Sequence, residues 1–242
     1  MLGRLITKRD PKSPISEAYR TIRTNVEFSN LDKEIKTIVV TSSQQNEGKS
    51  TVIANLAVSF AGMEDKKVLV LEGDLRNPTV HRMFNVSNAH GITEILTGQK
   101  SFEECVHTTE VKGLYVITCG KIPPNPSEML ASRRMKTFIE SLKDYYDYIF
   151  IDAPPIGIIT DAGIISTYTD GTMLVVASKE VDIDMVKIAK ERLEKVNANI
   201  LGIVLNKFEE ASGSYGYYNY YYEETSSNTR TKKKKKKWLW II

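Results

Sequence analysis

The stretch Ser43-Gln44-Gln45-Asn46-Glu47-Gly48-Lys49-Ser50-Thr51 places a glycine, a lysine and two hydroxyls in a row, the chemistry needed to grip a chain of phosphates. A β-type run, Thr37 to Thr41, leads into it, and an apolar helical stretch with Val52, Ile53, Leu56 and Phe60 follows. In that context successive backbone N–H groups converge on phosphate oxygens, Lys49 reaches the terminal phosphates and Ser50 offers its hydroxyl to Mg²⁺. Gly48 lets the backbone come close. The candidate nucleotide contacts are therefore Ser43, Gln45, Asn46, Glu47, Gly48, Lys49, Ser50 and Thr51. Ser43 stands where the usual GxxxxGK[ST] pattern begins with glycine.

A phosphate loop that works on Mg-ATP also needs carboxylates, and two β-type runs end in them. Val68 to Leu71 leads into Glu72-Gly73-Asp74-Leu75-Arg76, and Tyr148 to Ile151 leads into Asp152. In an open parallel sheet the C-terminal strand ends line the ligand crevice. Asp152 is the candidate for holding Mg²⁺ through water, with Ser50 and Asp74 as the other metal candidates. Glu72 and Asp74 lie two apart around a glycine, so one can stand near the metal and one near an incoming hydroxyl, with Arg76 holding phosphate or orienting a carboxylate. Turn, cap or surface placement is the competing account of these acids.

A third group stands apart from both. Tyr215, Tyr217, Tyr218, Tyr220, Tyr221 and Tyr222 fall within eight residues, loosened by Gly213, Ser214 and Gly216 and followed by Glu223-Glu224. A strand-forming, aggregating segment is one reading; a set of exposed phosphoacceptor hydroxyls is the other. A tyrosine hydroxyl has a pKa near ~10, so a carboxylate would have to accept its proton as a bond to phosphorus forms.

The elements that must position these residues follow from apolar spacing. Ile15, Ala18, Tyr19, Ile22 and Val26 predict a helix over 14–28, capped by Ser13 and opened by Pro14. From residue 36 short β-rich runs alternate with helical stretches: besides the three above, Leu114 to Thr118, Met173 to Ala177 and Ile200 to Leu205. That alternation predicts a doubly wound, mostly parallel sheet with helices on both faces. Two helices expose their core stripes in the sequence, Met135, Phe138, Ile139 and Leu142 in one and Met185, Ile188, Ala189, Leu193 and Val196 in the other.

At 242 residues the chain suits one sizeable α/β domain with an appendage. The expected division is an arm and helix over 1–35, a core domain over 36–208, and a disordered tyrosine-rich tail over 209–242. With 41% apolar and 26% charged residues and no apolar run near ~20 residues, a soluble, cytosolic protein is expected. Cys105 and Cys119 offer no metal-ligand spacing. Arg230 and Lys232 to Lys237 supply seven positive charges; removing them from the 33 basic residues leaves 26 against 30 acidic ones over residues 1–229. Specific nucleic-acid binding gets no support from that distribution.

Together these stretches resemble the bacterial tyrosine kinases of capsule and exopolysaccharide export, P-loop NTPases related to the ParA and MinD-like ATPases. The family's three nucleotide motifs correspond to Ser43–Thr51, Val68–Arg76 and Ile149–Asp152, its proline-rich segment to Gly120–Glu128, and its tail to the tyrosine cluster. Glu72 stands where the family usually has aspartate, which leaves open whether Glu72 or Asp74 is the base. The resemblance further implies that Asn206 contacts adenine and that Glu17, Arg20 and Arg23 form the motif joining subunits into a homo-oligomeric ring, each tail entering a neighbour's site. It implies ATP and Mg²⁺ as cofactors, activation by the cytoplasmic end of a transmembrane adaptor of the polysaccharide co-polymerase type, and a cognate tyrosine phosphatase. The lysine run beside Trp238-Leu239-Trp240-Ile241-Ile242 is outside the family pattern and reads as a contact for an anionic membrane surface. A ParA/MinD-like ATPase switch with a membrane-binding tail is the alternative, which leaves the tyrosine cluster without a use.

Overall fold

The computed structural model describes residues 5–29, 34–208 and 240–241. The six strands read from the sequence are present, five of them buried along most of their length and β7 only half-buried: β1 (Thr37–Ser42), β2 (Val68–Glu72), β4 (Leu114–Ile117), β5 (Tyr148–Asp152), β6 (Gly171–Ala177) and β7 (Ile200–Asn206). A short β3 (Val106–Thr108) and a two-residue β8 (Trp240–Ile241) complete a sheet of order β3-β4-β2-β5-β1-β6-β7-β8. All six long strands pair in parallel. Only the two edge additions, β3 on β4 and β8 on β7, run antiparallel. The near-continuous Val, Ile and Leu of β1, β2 and β5 follow from burial on both faces of a parallel sheet.

One face is covered by α1 (Ile6–Arg9), α2 (Pro14–Ser29), α3 (Lys49–Ala61) and α4 (Val80–Phe84). α3 is apolar almost all round and buried from Val52 to Ala61 because it lies between the sheet and α2. Its Phe60 ring meets Tyr148 and Phe150 of β5 edge-on at 4.5 and 5.2 Å. α2 opens as expected, Pro14 at its first position and the Ser13 hydroxyl accepting from Ser16 N at 3.2 Å. Its Tyr19, Ile22 and Val26 are buried.

The other face carries α5 (Ile92–Thr97), α6 (Phe102–Cys105), α7 (Pro126–Ala131), α8 (Arg133–Leu142), α9 (Asp161–Ser166) and α10 (Ile183–Lys195). α8 buries Met135, Ile139 and Leu142 as its spacing predicts. α10 differs: only Ala189 and Leu193 of the expected stripe are buried, and Ile188 is 39% exposed. It packs on α9 and the sheet along a line narrower than its apolar stripe. Of the expected tail over 209–242, residues 209–239 and 242 lie outside the described residues, and 240–241 pair with β7 as β8.

Candidate active site

The phosphate loop is set by β1 on one side and α3 on the other, and its sharpest turn is at Gly48, with φ +89° and ψ 19°. A Cβ there would lie 2.2 Å from Asn206 Nδ2, so both the backbone angle and the space require glycine. Asn206, at the end of β7, donates to the Glu47 carbonyl at 2.7 Å. Glu47 is the brace of the loop: one carboxylate oxygen accepts from Ser43 Oγ and Gln44 N, the other from Ala177 N at 2.7 Å. Lys207 donates to the Asn46 carbonyl at 2.8 Å and pairs with Glu180.

Lys49 opens α3 and turns back over the strand ends, its Nζ 3.0 Å from Asp152 Oδ1 and 3.6 Å from Asp74 Oδ2. Burial alone would pull the ammonium down, but Asp152, Asp74 and Glu72 together hold it above the usual lysine value. Asp152 is fully buried, and its second oxygen has no hydrogen-bond partner. A buried carboxylate oxygen left open beside Ser50 and Asp74 fits an oxygen-ligated cation such as Mg²⁺. Ser50 Oγ accepts from Thr79 Oγ1 at 2.9 Å, so Thr79 orients the hydroxyl at the same point.

The two acids around Gly73 are placed differently. Glu72 pairs with Asp152 across β2 and β5 and is fully buried. Its Oε2 accepts from Thr79 N at 2.6 Å and Val80 N at 2.9 Å, its Oε1 from Asp74 N at 3.2 Å. Burial, with Asp152 adding repulsion, pushes its carboxyl up to about 8. Asp74 uses Oδ1 to accept from Asn77 N at 3.0 Å and Arg76 N at 3.3 Å, while Oδ2 faces Lys49. Burial raises its pKa too, offset by Lys49. Glu72 thus anchors the start of α4, whereas Asp74 borders open space.

Arg76 holds a carboxylate outside the sequence-derived set. Its Nε donates to Asp161 Oδ2 at 2.8 Å and its Nη2 to Ser127 Oγ at 2.7 Å, and Ser127 donates to Asp161 Oδ1 at 2.6 Å. The proline-rich segment is thereby tied to α9 and to the turn after β2.

A cavity of about 1200 Å³ collects Gln45, Asn46, Gly48, Lys49, Ser50, Thr51, Asp74 and Arg76, with Thr79, Pro154 and Lys207. Ser43, Glu47, Glu72, Asp152 and Asn206 stand behind that lining, each at most 2% exposed. On α2, Arg20 donates to Glu17 and to the Pro11 carbonyl, and Arg23 donates to the Ser59 carbonyl of α3 at 2.7 Å. Tyr215, Tyr217, Tyr218, Tyr220, Tyr221 and Tyr222 lie outside the described residues. Thr79, Ser127, Asp161 and Lys207 are site residues the sequence reading did not name as such; Ser127 lay inside the proline-rich motif and Lys207 beside Asn206, while Thr79 and Asp161 carry no local signal.

Comparison with known proteins supplies the affiliation. A family profile described as ParA, NUBPL iron-transfer P-loop NTPase, matches residues 34–240. The tyrosine-protein kinase YwqD of Bacillus subtilis is 42% identical over 219 residues, 90% of this chain and 92% of that protein. The chain belongs to the bacterial tyrosine kinases. Among solved structures, the chimerical protein CapA2B2 superposes with a TM-score of 0.83 at 40% identity, covering 87% of this chain and 92% of that one. The kinase domain of the Escherichia coli tyrosine kinase ETK gives 0.81 at 33% identity, covering 88% and 84%. This bacterial tyrosine kinase therefore has the ParA-type P-loop NTPase fold, which implies nucleotide binding. Among the described residues no helix is long and apolar enough to cross a membrane.

Proposed function

We propose that the chain transfers the γ-phosphoryl group of ATP to tyrosine, and that its acceptors are the tyrosines of its own tail, Tyr215 to Tyr222. The observation that carries this reading is the approach of Asp152 and Asp74 to Lys49, at 3.0 and 3.6 Å, beside a cavity lined by Gly48, Lys49, Ser50 and Asp74. Mg²⁺, when bound by Ser50 and Asp152 with Asp74 near, supplies charge neutralisation on the phosphates. Lys49 and the loop amides hold the terminal phosphate and balance the charge that spreads over its oxygens. As the tyrosine oxygen bonds to phosphorus and the bond to the ADP oxygen breaks, the phenolic proton passes to a carboxylate. Asp74 suits that role better than Glu72, because Asp74 lines the cavity and its Oδ2 meets Lys49, while both Glu72 oxygens already accept backbone N–H groups.

The wider setting rests on family membership. The chain acts at the cytoplasmic face of the membrane in the control of capsular or exopolysaccharide assembly, assembled into a homo-oligomeric ring through Glu17, Arg20 and Arg23, with each tail serving a neighbour. A transmembrane adaptor switches it on through its cytoplasmic end, and a tyrosine phosphatase resets it. The basic, tryptophan-bearing end adds a contact to anionic lipid. The test of transfer between subunits is to mix Lys49→Met full-length chain with active chain truncated after Lys207, add Mg-ATP and the adaptor's cytoplasmic peptide, and blot for phosphotyrosine. Label on the full-length variant supports transfer between subunits; an unlabelled variant, beside an active full-length control that labels itself, rejects it.

A further inference from the structure

The cavity, at about 1200 Å³, is above the roughly 300–1,000 Å³ of ordinary small-ligand pockets. One part of its lining comes from α1, the loop after it and the first turn of α2, contributing Ile6, Arg9, Lys12, Pro14 and Ile15. This wall is built into the fold. Thr7 donates to Asn55 of α3 through both its amide and its hydroxyl, at 3.1 and 3.0 Å. The Asp10 carbonyl accepts from Ser13 and Ser16 at 2.8 and 2.6 Å, and the Pro11 carbonyl accepts from Arg20 at 2.8 Å. The loop between α1 and α2 is held at each turn.

At the end of α1 and on that fixed loop, Arg9 and Lys12 are exposed to the cavity, and neither side chain has an ion pair or hydrogen bond among the described residues. Asp10, between them, is the wall's one acid. Beside these cations the lining includes the apolar residues Ile6, Pro14 and Ile15, with Met83. Two free cations next to an apolar slot match a ligand that is aromatic and acidic at once. The chain's own tail has that composition: Tyr220-Tyr221-Tyr222 runs directly into Glu223-Glu224.

We propose that the arm wall is the acceptor subsite, that it binds an acidic tyrosyl segment, and that Arg9 and Lys12 contact the segment's carboxylates while Ile6, Pro14 and Ile15 seat a ring. The inference rests on the kinase reading above and adds the residues that choose the acceptor. Arg9 and Lys12 are binding residues; the proton and the phosphoryl group are handled across the cavity by Asp74 and Lys49.

The test uses the full chain and a fluorescein-labelled, unphosphorylated peptide with the sequence of residues 218–225, followed by anisotropy, with a fluorescent ADP analogue measured in parallel. Replacing Arg9→Ala together with Lys12→Ala should weaken peptide binding about tenfold at low salt, with ADP-analogue affinity within about twofold. Arg9→Lys with Lys12→Arg should restore it. A peptide with both glutamates changed to glutamine should bind the wild type about as weakly as the double variant binds the native peptide, and should lose little further on the double variant. Unchanged peptide binding in the double variant, no measurable binding by the wild type, or a matching loss of ADP-analogue affinity would each overturn the proposal. Phosphate transfer to tyrosine is scored separately by mass, so a wild type that transfers while its arm variant binds peptide normally removes the subsite and leaves the kinase reading standing.

Discussion

Replacing Gly48 by alanine tests the geometry of the phosphate loop at its tightest point. The residue sits at φ +89°, where a side chain costs about 1–2 kcal/mol, and the new Cβ would lie 2.2 Å from Asn206 Nδ2. The amide must leave, and with it goes the 2.7 Å bond to the Glu47 carbonyl, leaving buried polar groups unsatisfied at about 1–3 kcal/mol. The sum is about 2–5 kcal/mol, a large part of the roughly 5–15 kcal/mol that holds a domain folded. Urea unfolding of nucleotide-free protein reads this directly, and calorimetric titration with ADP should find binding lost or weakened at least about a hundredfold, since the displaced segment carries the converging N–H groups. The cycle with Asn206→Gly separates the two contributions: the double variant should lose less than the sum of the singles, because the clash has one partner. A Gly48→Ala protein within about 0.5 kcal/mol of wild type, or strict additivity with Asn206→Gly, would refute the reasoning.

Other expectations follow from the acids. Glu72 has a folded pKa near 8, above its unfolded value, so metal-free protein should hold its full Glu72 contribution below the ordinary carboxylate range and lose it as pH rises through about 8. Urea unfolding from pH 5 to 9 should show that decline, flattened in Glu72→Gln; parallel curves would contradict it. In single-turnover transfer, Asp74→Asn should slow the chemical step about 10²–10⁴-fold with nucleotide affinity little changed, and Glu72→Gln much less; the reverse order would make Glu72 the base. Arg76→Ala leaves fully buried Asp161 with Ser127 as its remaining partner here and should lower stability by about 1–3 kcal/mol, visible as a drop of several degrees in Tm. An unchanged Tm would mean that water replaces the guanidinium.

Much of this site is legible in the sequence because its residues sit at the ends of strands that announce themselves. Val39, Val70 and Ile151 lie in β1, β2 and β5, buried on both faces, so the runs around them are uniformly apolar and their C-terminal ends mark the crevice. The long helices α2, α3 and α8 were readable for the same reason, each having a stripe to bury. The connections were not: α4, α5, α6, α7 and α9 are four to six residues long, too short for a period to appear. Partner choice was equally hidden. Nothing near Arg76 in the chain points to Asp161, 85 positions away, and nothing near Gly48 points to the amide of Asn206. Residue type placed Glu72 beside Asp74 as an equal candidate; only the backbone N–H groups of Thr79 and Val80 assign it to holding the loop.

The most direct test of the central claim is intact-mass spectrometry of the wild type and Lys49→Met after incubation with Mg-ATP and the adaptor's cytoplasmic peptide, followed by mapping of the modified sites. The kinase account predicts stepwise phosphate additions on Tyr215 to Tyr222 in the wild type and none in the variant. ATP consumed with no mass added to either protein would contradict it and leave a nucleotide switch in its place.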